Sequence, residues 1–250
     1  MFPQIKGFIH QTLIDWEGKI ASEVFLPGCN YHCPICHSSY LVVSPNTLES
    51  IPFYAVRDYL KEQKEWIDGV VISGGEPTVH AELESLCSEF KQLDLKVKID
   101  TNGSNPEVLD ALIDKRLVDF IAMDVKAPLG ESYHAAAGVR VDLDALARSI
   151  RLLQEGRVEH EFRTTVCSAL LSEDDVVKIA RNLQGAARYV LQEFRGGSCL
   201  DPALNMHRSF SRDELRAVAL KAARYVRVCC VRGDVSVGSP GEARGPCGCP

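Results

Sequence analysis

No uninterrupted apolar run in the chain approaches the roughly 20 residues needed to cross a bilayer, which argues against a membrane span. The opening stretch, "MFPQIKGFIHQTLIDWEGK", lacks the apolar block of a secretory signal. There is no Lys/Arg-rich run and no basic stripe, and the formal net charge is −6. Nucleic-acid binding depends on clustered positive charge, so that class of partner is not expected. No repeat is visible beyond an alternation of strands and helices. These absences leave, as the expectation, a cytoplasmic protein that acts on a protein or on a small molecule.

What is present is a chain of 250 residues, 46% hydrophobic, long enough to fill a core, with ten cysteines. Ten cysteines in a small secreted domain would suggest disulfides. In a signal-less chain of this size, clustered ones read as metal ligands or reactive thiols.

From Lys19 onward, short β-branched or apolar runs alternate with amphipathic stretches. "KIASEVFL", "GVVISGG", "KVKID", "VDFIAMDVK", "EHEFRTTV" and "ARYVLQEF" read as six strands. Between them "YAVRDYLKEQKEW", "HAELESLCSEFKQL", "NPEVLDALIDKR", "DLDALARSIRLLQEG" and "SEDDVVKIARNLQ" read as helices, with Asn105 and Ser172 placed as caps. Strands spaced by helices demand parallel pairing, so the expected class is α/β, either an open doubly wound sheet or a full or partial barrel. In both, chemistry collects at the carboxyl ends of the strands. Those ends here carry a cysteine loop, "GGEPT", "DTNG" and "MDVK". After Phe194 comes a loop-like stretch, a helix over "RDELRAVALKAARY" with Ser211 as cap, and a short strand in "VRVCCV". The expected organisation is one core domain over 1–228 and a Cys/Gly/Pro-rich tail over 229–250 that buries little.

The densest chemistry lies in "GCNYHCPICHS", where Cys29, Cys33 and Cys36 fall within eight positions. Structural zinc closes at four ligands, usually from two separated pairs, and His32 and His37 are too near in sequence to their cysteine neighbours to complete a relaxed tetrahedron. A cubic iron–sulfur cluster normally takes one cysteine per iron. Three thiolates would leave one iron open, and an open position marks a catalytic site. Zinc and iron–sulfur both remain open on this stretch alone.

CxxxCxxC after the first strand, followed by "GGEP" after the second, resembles the radical S-adenosylmethionine superfamily. The resemblance implies a 4Fe-4S cluster on Cys29, Cys33 and Cys36 and the partial (β/α)6 barrel of that superfamily. It also implies S-adenosylmethionine on the open iron, cleaved by one electron to methionine and a 5'-deoxyadenosyl radical. The family usually has an aromatic residue before the third cysteine, where this chain has Ile35. By the same resemblance Gly74, Gly75, Glu76 and Pro77 contact the cofactor, with Glu76 offering a carboxylate to an ammonium group. Asp100 and Asn102 of "DTNG" and Asp124 and Lys126 of "MDVK" share the expected rim, and glycyl-radical activating enzymes resemble the chain at both places. There, the equivalents of Asp100, Asp124 and Lys126 surround the carboxylate end of the cofactor.

From about Gly7 to Arg195, the order and spacing of "TLIDWEGKIASEVFLPGCNYHCPICH", "ISGGEPT", "KVKIDTNGSNPEVLDAL", "VDFIAMDVKAPL", "EFRTTV" and "YVLQEFR" resemble the activating proteins of anaerobic (class III) ribonucleoside-triphosphate reductases. That implies a glycyl-radical partner enzyme and reduced flavodoxin or ferredoxin as electron donor. Two alternatives stand beside it: a radical enzyme of the same fold that modifies a small molecule, as a deazapurine-forming synthase does, and a non-enzymatic zinc-binding interaction module. Arg163 and Gln192 either line a barrel interior or lie on an exposed strand face. Cys87 and Cys167 read as small apolar residues. Cys229, Cys230, Cys247 and Cys249 number four, but adjacent cysteines are poorly spaced for one metal. His80 and His207 are given no catalytic role.

Overall fold

The computed structural model describes residues 2–207, 209–238 and 243–246, with side chains described as far as Asp234, Arg208 excepted. The chain divides into two compact units, Met1–Asn30, Ser38–Ala122 and Arg157–Glu159 forming the first, and Tyr31–His37, Met123–Gly156 and His160–Pro250 the second.

In the first unit β1 (Gly7–Thr12) pairs antiparallel with β2 (Ala21–Leu26), and β2, β3 (Gly69–Gly74) and β4 (Lys96–Thr101) run parallel in chain order. The helices are α1 (Ser39–Val43), α2 (Phe53–Glu62), α3 (Leu83–Gln92) and α4 (Pro106–Asp114). Apolar residues at helical spacing fix which face each one buries. In α3 these are Leu83, Leu86, Cys87 and Phe90, so Cys87 is a core residue, as expected, with its thiol pushed up to about 12 by burial. β5 (Phe120–Asp124) gives its first three residues to this unit and Met123 and Asp124 to the second.

The second unit holds α5 (Glu131–Ala137), α6 (Leu143–Gln154), most of β6 (Glu159–Val166), α7 (Glu173–Asn182), β7 (Arg188–Glu193), α8 (Arg212–Ala222), β8 (Val228–Val231), β9 (Val235–Gly238) and β10 (Ala243–Pro246). β6, β7 and β8 run parallel, while β8, β9 and β10 pair antiparallel. The α/β class with parallel strands separated by helices is the one expected, and all six expected strands are present.

Ser172 and Ser211 cap α7 and α8 through full capping boxes, as expected. Asn105 does not cap α4. Its Nδ2 donates instead to Thr78 O (3.2 Å) and Thr78 Oγ1 (2.9 Å), because a long-range partner competes for the same amide. The boundary expected between 228 and 229 falls inside β8, where Cys229 is paired opposite Tyr189 and Cys230 opposite Val190, both buried. The tail therefore cannot begin at 229. Successive strand residues point to opposite faces, so the side chains of Cys229 and Cys230 do not converge on one ion. Cys247 and Cys249 lie outside the described residues. Among those described, no helix is long and apolar enough to cross a membrane.

Candidate active site

Chemistry-bearing residues of the first unit gather at the carboxyl ends of β2, β3 and β4. β3 runs in register with β2 up to Leu26↔Gly74, and the pairing continues past the strand, with Gly75 N donating to Leu26 O and Glu76 N to Gly28 O, each at 2.8 Å. The two backbones lie so close that a Cβ on Gly75 would sit 1.7 Å from Gly28 O. The glycine needed to admit a ligand backbone is thus needed, in the first place, to admit the strand that leads into the cysteines.

Glu76 is the hub of this half. Its side chain is buried and accepts at Oε1 from Thr78 N (3.1 Å), Thr78 Oγ1 (2.6 Å) and Thr101 Oγ1 (2.7 Å), and at Oε2 from Asn102 N (2.6 Å). Burial pushes the carboxyl up, and those four donors oppose the shift. The carboxylate expected to meet an ammonium group is instead engaged inside the protein, where it ties the turn Pro77–Val79 to the end of β4. Pro77, buried, opens that turn. Asp100 is half-buried and pairs with the buried Lys98 ammonium at 3.1 Å. Asn102, buried, sends Nδ2 to Asn30 Oδ1 (2.9 Å) and to Cys29 Sγ (3.9 Å). His80, given no catalytic role, has Nε2 2.8 Å from Pro27 O and braces the same lead-in.

The second unit carries the other two cysteines. Cys33 and Cys36 form a tight turn, Cys36 N donating to Cys33 O at 2.9 Å. His32 N donates to Ala137 O, and a Cβ on Gly138 would lie 2.0 Å from His32 O, so the end of α5 presses on this loop. On its other side Leu200 N donates to Cys36 O and Asp201 N to Pro34 O. Ile35 packs against the buried cluster of Cys167, Phe194, Cys199 and Leu204. The residue that departs from the family pattern is therefore a core contact. Cys167 is the small apolar residue expected, and Cys199, left without a role by the sequence, joins it.

Asp124 and Lys126 are paired at 2.9 Å, as their spacing suggests, and Arg163 completes the group by donating Nε to Asp124 Oδ1 at 2.8 Å. Burial alone would raise the Asp124 carboxyl, but the Arg163 and Lys126 charges outweigh it and hold it below the usual carboxylate range. Burial would lower Lys126, and Asp124 and Cys33 outweigh that. Burial pushes the Cys33 thiol up and Lys126 pulls it back. Two cations around one carboxylate, beside a thiol, leave a surplus of positive charge suited to an anion. Of the two positions for which the sequence left interior and surface open, Arg163 thus joins the site group. Gly138 and Asn30 went unnoticed in the sequence.

All three loop cysteines lie outside disulfide bonds and are half-buried. Among the described residues no three His, Cys, Asp or Glu side chains are grouped to hold one metal ion. A cubane takes its thiolates on separate irons, and so does not require them to meet at one point. Reduced thiols with an ammonium beside one and an amide N–H directed at another fit that soft, anionic cluster.

The sequence profile of the radical SAM superfamily matches residues 24–183. The chain belongs to the radical SAM superfamily. Radical SAM proteins are enzymes that use a 4Fe-4S cluster and S-adenosylmethionine. A protein of Methanocaldococcus jannaschii, provisionally named a glycyl-radical enzyme activating enzyme, is 30% identical over 230 residues, covering 89% of this chain and 92% of that protein. A 7-carboxy-7-deazaguanine synthase of a Synechocystis species is 30% identical over 91 residues, covering 36% of this chain and 42% of the synthase. Among solved structures, Streptococcus suis SuiB bound to S-adenosylmethionine superposes with a TM-score of 0.59 at 14% identity, over 83% of this chain and 45% of SuiB. TYW1 with a lysine-pyruvate adduct gives 0.60 at 13%, over 84% of this chain and 74% of TYW1. These structural likenesses show the radical SAM fold, and nothing of substrate.

Proposed function

We propose that this radical SAM enzyme is an activating enzyme that places a radical on a glycine of a partner protein. The observation that carries the reading is the extent of the similarity to the Methanocaldococcus protein, 230 residues and 92% of its length. Matches to deazaguanine synthases extend over 91 to 156 residues, at most 58% of this chain. Within the activases, the motifs from Gly7 to Arg195 favour anaerobic ribonucleoside-triphosphate reductase as partner and a reduced flavodoxin or ferredoxin as donor.

In this reading Cys29, Cys33 and Cys36 hold the cluster. When bound, it supplies the electron that cleaves S-adenosylmethionine to methionine and a 5'-deoxyadenosyl radical, the species that abstracts hydrogen. The protein's own residues orient and shield. Glu76 locks the "GGEP" turn against the end of β4, which leaves backbone carbonyls, rather than its carboxylate, to accept from the cofactor's amino group. Lys126 and Arg163 offer positive charge to its carboxylate, with Asp124 fixing both side chains. Asp100, held by Lys98, supplies the opposite charge.

The test mixes the anaerobically reconstituted enzyme, S-adenosylmethionine and a reductant with an anaerobic ribonucleotide reductase, and looks for the glycyl-radical doublet in the electron paramagnetic resonance spectrum. A doublet that depends on all components supports the reading. If 5'-deoxyadenosine forms without that signal, and its formation responds to a small metabolite instead, the synthase-like alternative replaces it.

A further inference from the structure

Asn102 stands at the crossing of two hydrogen-bond sets, and its amide orientation is fixed. Its backbone N–H is held by Glu76 Oε2 at 2.6 Å. Its Oδ1 accepts from Ser104 N at 2.9 Å, so an inverted amide would set donor against donor. One side-chain N–H is taken by Asn30 Oδ1 at 2.9 Å, and Asn30 is oriented in turn by donating Nδ2 to Ser104 Oγ at 2.8 Å. The remaining N–H is directed at Cys29 Sγ, 3.9 Å away. The side chain is buried, so water does not compete for it.

Hydrogen bonds to ligand sulfurs are among the main determinants of iron–sulfur potentials, because they favour the more negative, reduced state. We propose that Asn102 is a positioning residue for electron transfer, donating to the Cys29 sulfur and thereby raising the potential at which a cluster on Cys29 accepts its electron. Glu76 acts one step behind, by holding the backbone of Asn102. The inference rests on the reading of Cys29 as a cluster ligand, and gives "DTNG" a role in redox poise besides any contact with S-adenosylmethionine.

The experiment is a redox titration of the reconstituted full chain without S-adenosylmethionine, for wild type, Asn102→Ala, Asn102→Asp and Ser172→Ala. The midpoint is read from the clusters that form, so reduced loading does not obscure it. Asn102→Asp keeps the Oδ1 that accepts from Ser104 N, which preserves the turn. The expected result is a midpoint shifted to more negative potential in Asn102→Ala and further in Asn102→Asp. Ser172→Ala, which removes only the cap of α7, should match wild type. Wild-type midpoints in both Asn102 variants would overturn the inference while leaving the cluster assignment standing. A wild-type chain that assembles no iron–sulfur cluster would overturn the assignment of Cys29, and the inference with it.

Discussion

Two carboxylates, Glu76 and Asp124, stand at strand ends in motifs of similar appearance, and their surroundings differ. Every donor around Glu76 belongs to a neutral group, and the side chain is buried. Asp124 is held by two cations and its side chain keeps 28% of its exposure. A buried acceptor satisfied by four internal donors has little capacity left for a ligand, whereas a partly open carboxylate with surplus positive charge around it can respond to one. Position at a strand end is shared, and the identity of the donors separates a carboxylate enclosed by neutral groups from one held between cations.

The sharpest way to break that comparison is Glu76→Ala. Removing the carboxylate strands Asn102 N–H, Thr78 N–H and two hydroxyls in the interior, so we expect a loss of about 3 kcal/mol or more in urea unfolding, together with poor cluster loading. Wild-type stability would show that the turn is held by something else.

Next in size is Glu23, on the same buried side of the comparison. Burial and the nearby Asp15 and Asp100 push its carboxyl from 4.5 up to about 8. A carboxyl raised on folding contributes stability that is whole below pH 4.5 and is lost as pH rises through about 8. Glu23→Gln should flatten that dependence, and the change in unfolding free energy between pH 4.5 and 8 should shrink by on the order of 3 kcal/mol. Identical pH profiles for variant and wild type would contradict the assignment.

Asp124→Asn sharpens the comparison from the other side. Stability should fall by about 2 kcal/mol, because the buried Arg163 guanidinium loses its carboxylate, while S-adenosylmethionine binding, followed by calorimetry, weakens by about tenfold or more, equivalent to some 1.4 kcal/mol. A large stability loss with unchanged affinity would make Asp124 a second Glu76. Smallest is Ser172→Ala, which should cost about 1 kcal/mol through the lost cap of α7 and leave cofactor binding as it was.

Ser172 also shows what the sequence makes legible. Its partner is three residues away, so cap and helix can be read from one short window. The six strands expected from the sequence were legible for the same reason, their β-branched runs being local. β1 was not, since "GFIHQT" has no clean alternation and its pairing depends on β2, and α5 is seven residues built largely of small side chains. At the site, the cysteine spacing and the four strand ends were visible as motifs. The use of Glu76 was not, because its partners Thr101 and Asn102 lie 25 and 26 residues downstream. Arg163 was visible only as a polar residue in an apolar run, 39 residues from the Asp124 that gives it a purpose.

The measurement that tests the account most directly is made on the anaerobically reconstituted chain: iron, sulfide and zinc content, then 5'-deoxyadenosine formed from S-adenosylmethionine after reduction with dithionite. About four irons per chain with deoxyadenosine formed, both lost in Cys33→Ala, is the expected result. Stoichiometric zinc with no cluster and no cleavage would contradict it.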